Sequence, residues 1–147
     1  NAGILGERVE LAHYPEEVWD DVMAVNLRAP FVLTQELLPL LEKSENASVV
    51  FASSGVGREA RAQWGAYSVS KIAIEAVSKI FAKENTYPNI RYNCINPGGT
   101  RTAMRAKAYP DEDPKVLPSP EAIMPAYLYL MGDDSLALNG ESIDAQD

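Results

Sequence analysis

The chain has 147 residues, enough for one hydrophobic core of usual size and too few for two. Hydrophobic residues make up 46% and charged residues 23%, and 10 Pro and 9 Gly are scattered along the chain, which excludes a disordered tail or a collagen-like repeat. With 13 Lys and Arg against 21 Asp and Glu the net charge is −8, so there is no positive field to draw a phosphate backbone and nucleic acid is not an expected partner.

From Pro15 to Lys43 apolar residues recur at three- and four-residue spacings, the period of a helix. Pro15 with Glu16 and Glu17 suits its start, where a missing N–H costs nothing and acidic side chains meet the positive dipole end. Pro30 removes one rung of the ladder, which predicts a single long helix bent around Asn26. Ser48 to Ser53 is a short β-branched and aromatic run ahead of Gly55, a buried strand. Gly55 to Gly65 reads as a loop. Tyr67 to Asn85 reads as a second helix, so apolar around its circumference that it is expected to be covered on two sides.

Ile90 to Ile95 is a further strand, stopped by Pro97-Gly98-Gly99. Thr100 to Ser119, polar and rich in Pro and charge, reads as irregular. Ser119 caps a helix over Pro120 to Met131, and Glu141 to Asp144 reads as a last strand. Strands alternating with helices at these connection lengths predict parallel βαβ units and an α/β sheet.

A single cysteine, Cys94, forms no intrachain disulfide, and one His leaves no Cys/His set for a structural zinc; no metal is expected. A reducing, cytoplasmic location is the expectation. The longest apolar stretches are broken by Gln35 and Glu36 or by Pro125, short of the roughly 20 residues of a membrane helix, so no membrane partner is expected. The chain opens on Asn1, with no basic segment leading into an apolar run, so its start is expected to lie inside a longer protein.

Tyr67 and Lys71 lie four apart at the start of a helix and share one face. An ammonium beside a phenol favours phenolate, which predicts a tyrosine pKa pulled from about 10 toward neutrality, as a general acid/base needs. Ser54 ends a parallel-type strand, at the carboxyl edge where open α/β sheets build their sites, and Pro97-Gly98 brings bare backbone to the same rim. Ser68-x-x-Lys71 also fits a Ser–Lys nucleophile motif, but no S-D-N or K-T-G partner occurs in the chain. His13 reads as a solvated loop residue. Trp64 is either a substrate wall or a packing residue, and Arg101, Arg105 and Lys107 are either an anion subsite or a solvated face.

Asn1-Ala2-Gly3, Asn26, Ser54, Tyr67-x-x-x-Lys71 and Pro97-Gly98 resemble, in order and spacing, the short-chain dehydrogenase/reductase family, with Asn1-Ala2-Gly3 like the last three letters of its Asn-Asn-Ala-Gly strand end; Ser54 and Tyr67 stand the family's usual thirteen positions apart. Asn96 to Arg105 and the closing Met131 to Ser135 with Asp144-Ala145-Gln146 look like one bacterial subgroup of it, the YciK-like oxidoreductases. The resemblance implies a Rossmann-type doubly wound parallel sheet and an oxidoreductase that uses NAD or NADP to interconvert a small-molecule alcohol and a carbonyl.

By that resemblance Tyr67 is the acid/base. Lys71 tunes it and holds the nicotinamide ribose, Ser54 holds the substrate oxygen, and Asn26 places a water behind Lys71. Asn1, Ala2, Gly3, Pro97, Gly98, Thr100 and Thr102 then lie along the cofactor. The family's opening strand and Gly-rich pyrophosphate turn have no counterpart here, so the chain resembles the second half of that fold, with the N-terminal half missing. The two long helices imply a homodimer or homotetramer, and a catalytically silent assembly module is the alternative reading.

Overall fold

A computed structural model describes residues 1–146. The long amphipathic stretch forms α1 (Glu16–Met23) and α2 (Ala29–Leu41), joined by a π-helical turn over Ala24–Arg28. The helical ladder is disturbed next to Pro30, which has no N–H to give, and Thr34 Oγ1 donates to the Pro30 carbonyl at 2.7 Å. The first strand, β1 (Ala47–Ala52), leads through Ser54 into a 3₁₀ turn and on to α3 (Gly65–Glu84). Then follow β2 (Ile90–Asn96), a short helix α4 (Ala103–Ala108), α5 (Met124–Met131) and β3 (Ser142–Asp144).

The three strands are all parallel in the order β1-β2-β3, with Phe51 beside Cys94 and Ile95 beside Ile143. The period of two then sorts the side chains. Ala47 and Phe51 on β1 and Ile90, Tyr92 and Cys94 on β2 face one way and join Ile74 of α3 in the main core. Phe81 stacks between Phe51 and Tyr92, with ring centroids at 6.3 and 5.1 Å. On the opposite face Ser48 Oγ donates to the Leu130 carbonyl at 2.6 Å, and the buried Arg91 donates to Ser135 Oγ and the Gly132 carbonyl, which seats the end of α5. Helices therefore cover both faces, as the alternating pattern predicts.

Four expectations are corrected. β1 is half-buried rather than buried, because among the described residues it has a neighbour on one side only. Residues 100–119 contain α4, whose N-cap Thr102 accepts from Arg105 N at 3.1 Å; a hydroxyl cap outweighs a Pro-rich surrounding. The apolar positions of α3 are not all covered: Val69, Ile72 and Ile80 stand at the surface, while Ser70, Lys71, Glu75 and Ser78 are buried. Asn1-Ala2-Gly3 does not belong to a strand among the described residues, and the backbone of the next residue, Ile4, pairs with the Asn26 amide instead.

Candidate active site

The carboxyl edge of the sheet opens into a cleft of about 560 Å³. Ser54 reaches it from the end of β1, Tyr67 and Lys71 from the first two turns of α3, and Pro97 and Gly98 from the end of β2. The approach of α3 to the β1 loop is set by Gly57: a Cβ there would meet the Lys71 carbonyl oxygen at 2.9 Å, so any larger residue would push the helix off. Ser68 Oγ closes the same junction on the Val56 carbonyl at 2.6 Å.

Tyr67 and Lys71 are both nearly sequestered from solvent, 9% and 4% exposed, and the Lys71 Nζ lies 5.6 Å from the centroid of the Tyr67 ring. It donates to the Ala52 carbonyl at 2.7 Å. Burial pushes the Tyr67 phenol above its ordinary value, and the Ser54 hydroxyl beside it pulls the other way. Lys71 is itself lowered to about 8, chiefly by burial. The expected pull of Lys71 on the phenol toward neutrality is thus overridden in this geometry, because desolvation is the larger effect and the ammonium is aimed at a backbone carbonyl.

Asn26 sits in the π turn, 2% exposed. Its Nδ2 donates to the Ile4 carbonyl at 2.9 Å and Ser70 Oγ at 3.2 Å, and its Oδ1 accepts from Ile4 N at 2.8 Å. A water held by this side chain therefore has only the second lone pair of Oδ1. The same atom lies 3.4 Å from where a Cβ on Gly3 would stand, and Lys71 Nζ lies 3.7 Å from that point, so Gly3, Asn26 and Lys71 meet. Asn1 lines the cleft, whereas Ala2 lines a second hollow of about 260 Å³ beside Asn26.

The loop after β2 is clipped by a residue for which sequence reasoning assigned no contact. Gln146 Nε2 donates to the Pro97 carbonyl at 2.6 Å, the Gly99 carbonyl at 3.2 Å and Thr100 Oγ1 at 3.3 Å. Gly98 beneath it has φ +70°, and a Cβ there would come within 2.9 Å of that amide nitrogen. Asp144 accepts from Asn96 Nδ2 at 2.6 Å and pairs with Arg58 at 2.7 Å, and these bonds hold its carboxyl below the usual carboxylate range. Thr100 is buried and Thr102 caps α4, so both line the cleft with their hydroxyls also engaged in the loop.

Trp64 is both things it was expected to be one of: it lines the cleft and is 8% exposed, packed on Tyr67 and Tyr109 with centroids at 5.7 and 5.9 Å. Arg105 is bidentate to Glu112 at 2.6 and 2.7 Å, and Lys107 donates to the Gly6 carbonyl at 3.2 Å. His13 is exposed beside Glu10. Arg8, which sequence reasoning missed, lies 4.3 Å above the Trp64 ring and donates to the Ala108 carbonyl at 2.8 Å. No local spacing announces contacts that join positions a hundred residues apart.

To this parallel α/β sheet with Ser54, Tyr67 and Lys71 at its carboxyl edge, the family model for short chain dehydrogenase matches over residues 1–113. The chain belongs to the short-chain dehydrogenase/reductase family. It is 56% identical to the uncharacterized oxidoreductase YciK of Escherichia coli (strain K12) over 146 residues, which is 99% of this chain and 58% of that protein. It is 34% identical to the 3-oxoacyl-[acyl-carrier-protein] reductase FabG of Thermotoga maritima, over 97% of this chain and 61% of that one. A short chain dehydrogenase from Escherichia coli CFT073, solved in complex with NADPH, superposes with a TM-score of 0.96 at 55% identity, covering all of this chain and 61% of that one. One from Shigella flexneri 2a str. 301, in complex with NADP, gives 0.96 at 54%. The chain thus spans about three-fifths of the length of these relatives.

Proposed function

We propose that this chain carries the acid–base part of an NAD(P)-dependent oxidoreductase that interconverts an alcohol and a carbonyl. The observation that carries the reading is the convergence of Ser54, Tyr67 and Lys71 in one cleft whose far rim is the bare backbone of Pro97 and Gly98. The cradle suits a flat ring lying on that rim, with the ammonium of Lys71 among the groups that line the cleft. Asn1, Gly3, Tyr67, Lys71, Pro97, Gly98, Thr100 and Thr102 are the residues that would hold the nicotinamide half, with Ala2 beside them. When bound, the nicotinamide supplies or accepts the hydride. The NADPH and NADP complexes of the two structural neighbours favour NADP over NAD for this chain.

In the reducing direction Tyr67 Oη gives its proton to the substrate oxygen, which Ser54 Oγ holds by a second hydrogen bond. A phenol raised by burial is held in its protonated form at neutral pH, the form the reducing direction needs, and is a weaker acid than a free tyrosine, so the cation beside it matters. Lys71, the cation nearest the ring, stabilises the phenolate left behind. Asn26 acts through Ile4 and Ser70, holding the opening segment and the first turns of α3 in register behind Lys71. The same reading includes a homo-oligomer, since Phe31, Leu33 and Leu37 on α2 and Val69, Ile72 and Ile80 on α3 are large apolar side chains left at the surface.

The test is Tyr67→Phe in the full-length gene product, which keeps the ring and removes the proton. Turnover of a carbonyl substrate is expected to fall by about 10²–10⁴ while NADPH binding, followed by fluorescence, stays nearly unchanged. Near-parental turnover overturns the assignment.

A further inference from the structure

Beyond Tyr67 the cleft is walled by apolar residues of one cluster: Trp64 and Leu5 are buried beside Tyr67, with Met104 and Tyr109 packed against them. Two side-chain cations line the cleft, Lys71 and Arg105, and no carboxylate lines it among the described residues. Lys71 belongs to the acid–base set. Arg105 is not available as a free charge, because its guanidinium is bidentate to Glu112 and lies 3.8 Å above the Tyr109 ring. A cation with its carboxylate already in place gains little from a second anion.

The wall is also built in advance of any ligand. Arg8 lies over the outer face of Trp64, 4.3 Å from the ring, and its Nη1 ties the Ala108 carbonyl at 2.8 Å. Lys107 ties α4 to the Gly6 carbonyl at 3.2 Å. Both bonds join the opening segment to α4, beside the Trp64 and Tyr109 rings, whose centroids are 5.9 Å apart. A wall fixed from behind meets an apolar group with little ordering left to do.

We infer that the substrate of this site is an uncharged carbonyl or alcohol whose apolar tail, a hydrocarbon chain or ring, lies against Trp64, Met104 and Tyr109, with the Arg105–Glu112 pair excluding anionic substrates. The inference rests on Tyr67 being the acid/base of the same site. It narrows the substrate class to lipophilic ketones, aldehydes and secondary alcohols, and sets aside keto acids and phosphorylated carbonyls.

The test uses the full-length gene product with NADPH and two matched substrates: a methyl ketone with a long alkyl tail, and the same ketone with a carboxylate at the end of its tail. The neutral ketone is expected to have the higher kcat/KM by roughly tenfold or more. Trp64→Ala should remove most of that preference by weakening the neutral ketone alone. Glu112→Gln, which leaves Arg105 uncompensated, should raise kcat/KM for the carboxylated ketone with little change for the neutral one. Equal use of the two ketones, or a preference for the carboxylated one, overturns the inference. So does an unchanged ratio in both variants.

Binding of the same two ketones to Tyr67→Phe, measured by calorimetry in the presence of NADPH, separates the subsite from the chemistry. Tighter binding of the neutral ketone supports the subsite even if Tyr67→Phe still turns over, a result that would strike only the acid/base assignment. Equal binding overturns the subsite even if Tyr67→Phe is inactive.

Discussion

Lys71 holds a charge where a charge is costly: its side chain is buried, its pKa is lowered to about 8, and its hydrogen-bond acceptor, the Ala52 carbonyl, is neutral. The sign of the linkage follows. A lysine whose folded-state pKa lies below its ordinary 10.5 binds fewer protons folded than unfolded between those values, so the fold gains stability as pH rises from about 8 to 10.5. Denaturant titrations of the full-length gene product across that range should show the rise, and Lys71→Met should flatten it, the difference between the two proteins isolating Lys71 from the other groups that titrate there. A parallel pair of curves would show that the ammonium is better solvated than its burial implies. Tyr67 is shifted the other way: burial keeps the phenol protonated at neutral pH, so the oxidising direction, which needs phenolate, is the one expected to improve with alkali.

Among the elements, the loop after β2 depends on the end of the chain. Gln146 is the donor to both Pro97 and Gly99 carbonyls, and Asp144 ties Asn96 to Arg58. Removing a partner from half-buried acceptors costs about 1–3 kcal/mol where no water replaces it. Gln146→Ala should therefore loosen the rim on which the cofactor is proposed to lie, raising KM for NADPH several-fold with a smaller change in kcat. Gln146→Glu places a carboxylate against two carbonyl oxygens and should do worse than Ala. If both variants keep the parental KM, the clip is structural only. The π turn is a second case of one element serving another: Asn26 closes on Ile4 and Ser70, so its replacement by Ala orphans the Ile4 backbone pair and should cost stability before it costs chemistry.

Over the whole molecule, apolar side chains at the surface include sets on α2 and α3, where Leu33 is 58% and Ile80 52% exposed, and a further set on α5 with Leu128 and Met131. Full burial of such a side chain is worth roughly 1.5–3 kcal/mol, so covering even half of each across six positions favours association by several kcal/mol before its entropic cost. The 147-residue chain by itself should sediment as a concentration-dependent oligomer, and Leu33→Glu combined with Ile72→Glu should shift it toward monomer. A chain that stays monomeric at high concentration, with both leucine and isoleucine in place, would show that these faces are not subunit contacts. The described residues include no helix long and apolar enough to cross a membrane.

Much of this was legible in the residues alone. The period of the apolar positions, the disturbed helical ladder around Asn26 next to Pro30, the parallel order of strand and helix, and the gathering of Ser54, Tyr67, Lys71 and Pro97-Gly98 at one sheet edge all follow from local rules: side-chain spacing, backbone restriction and the fixed polarity of a βαβ unit. Tertiary structure alone decided the rest. That Tyr67 is raised and not lowered, that Arg105 is neutralised by Glu112, that Arg8 backs Trp64 and that Gln146 clips the loop over Gly98 depend on burial and on contacts between segments remote in the chain. Desolvation is a property of the assembled volume around a group, and the composition and spacing of its neighbours in sequence carry no measure of it.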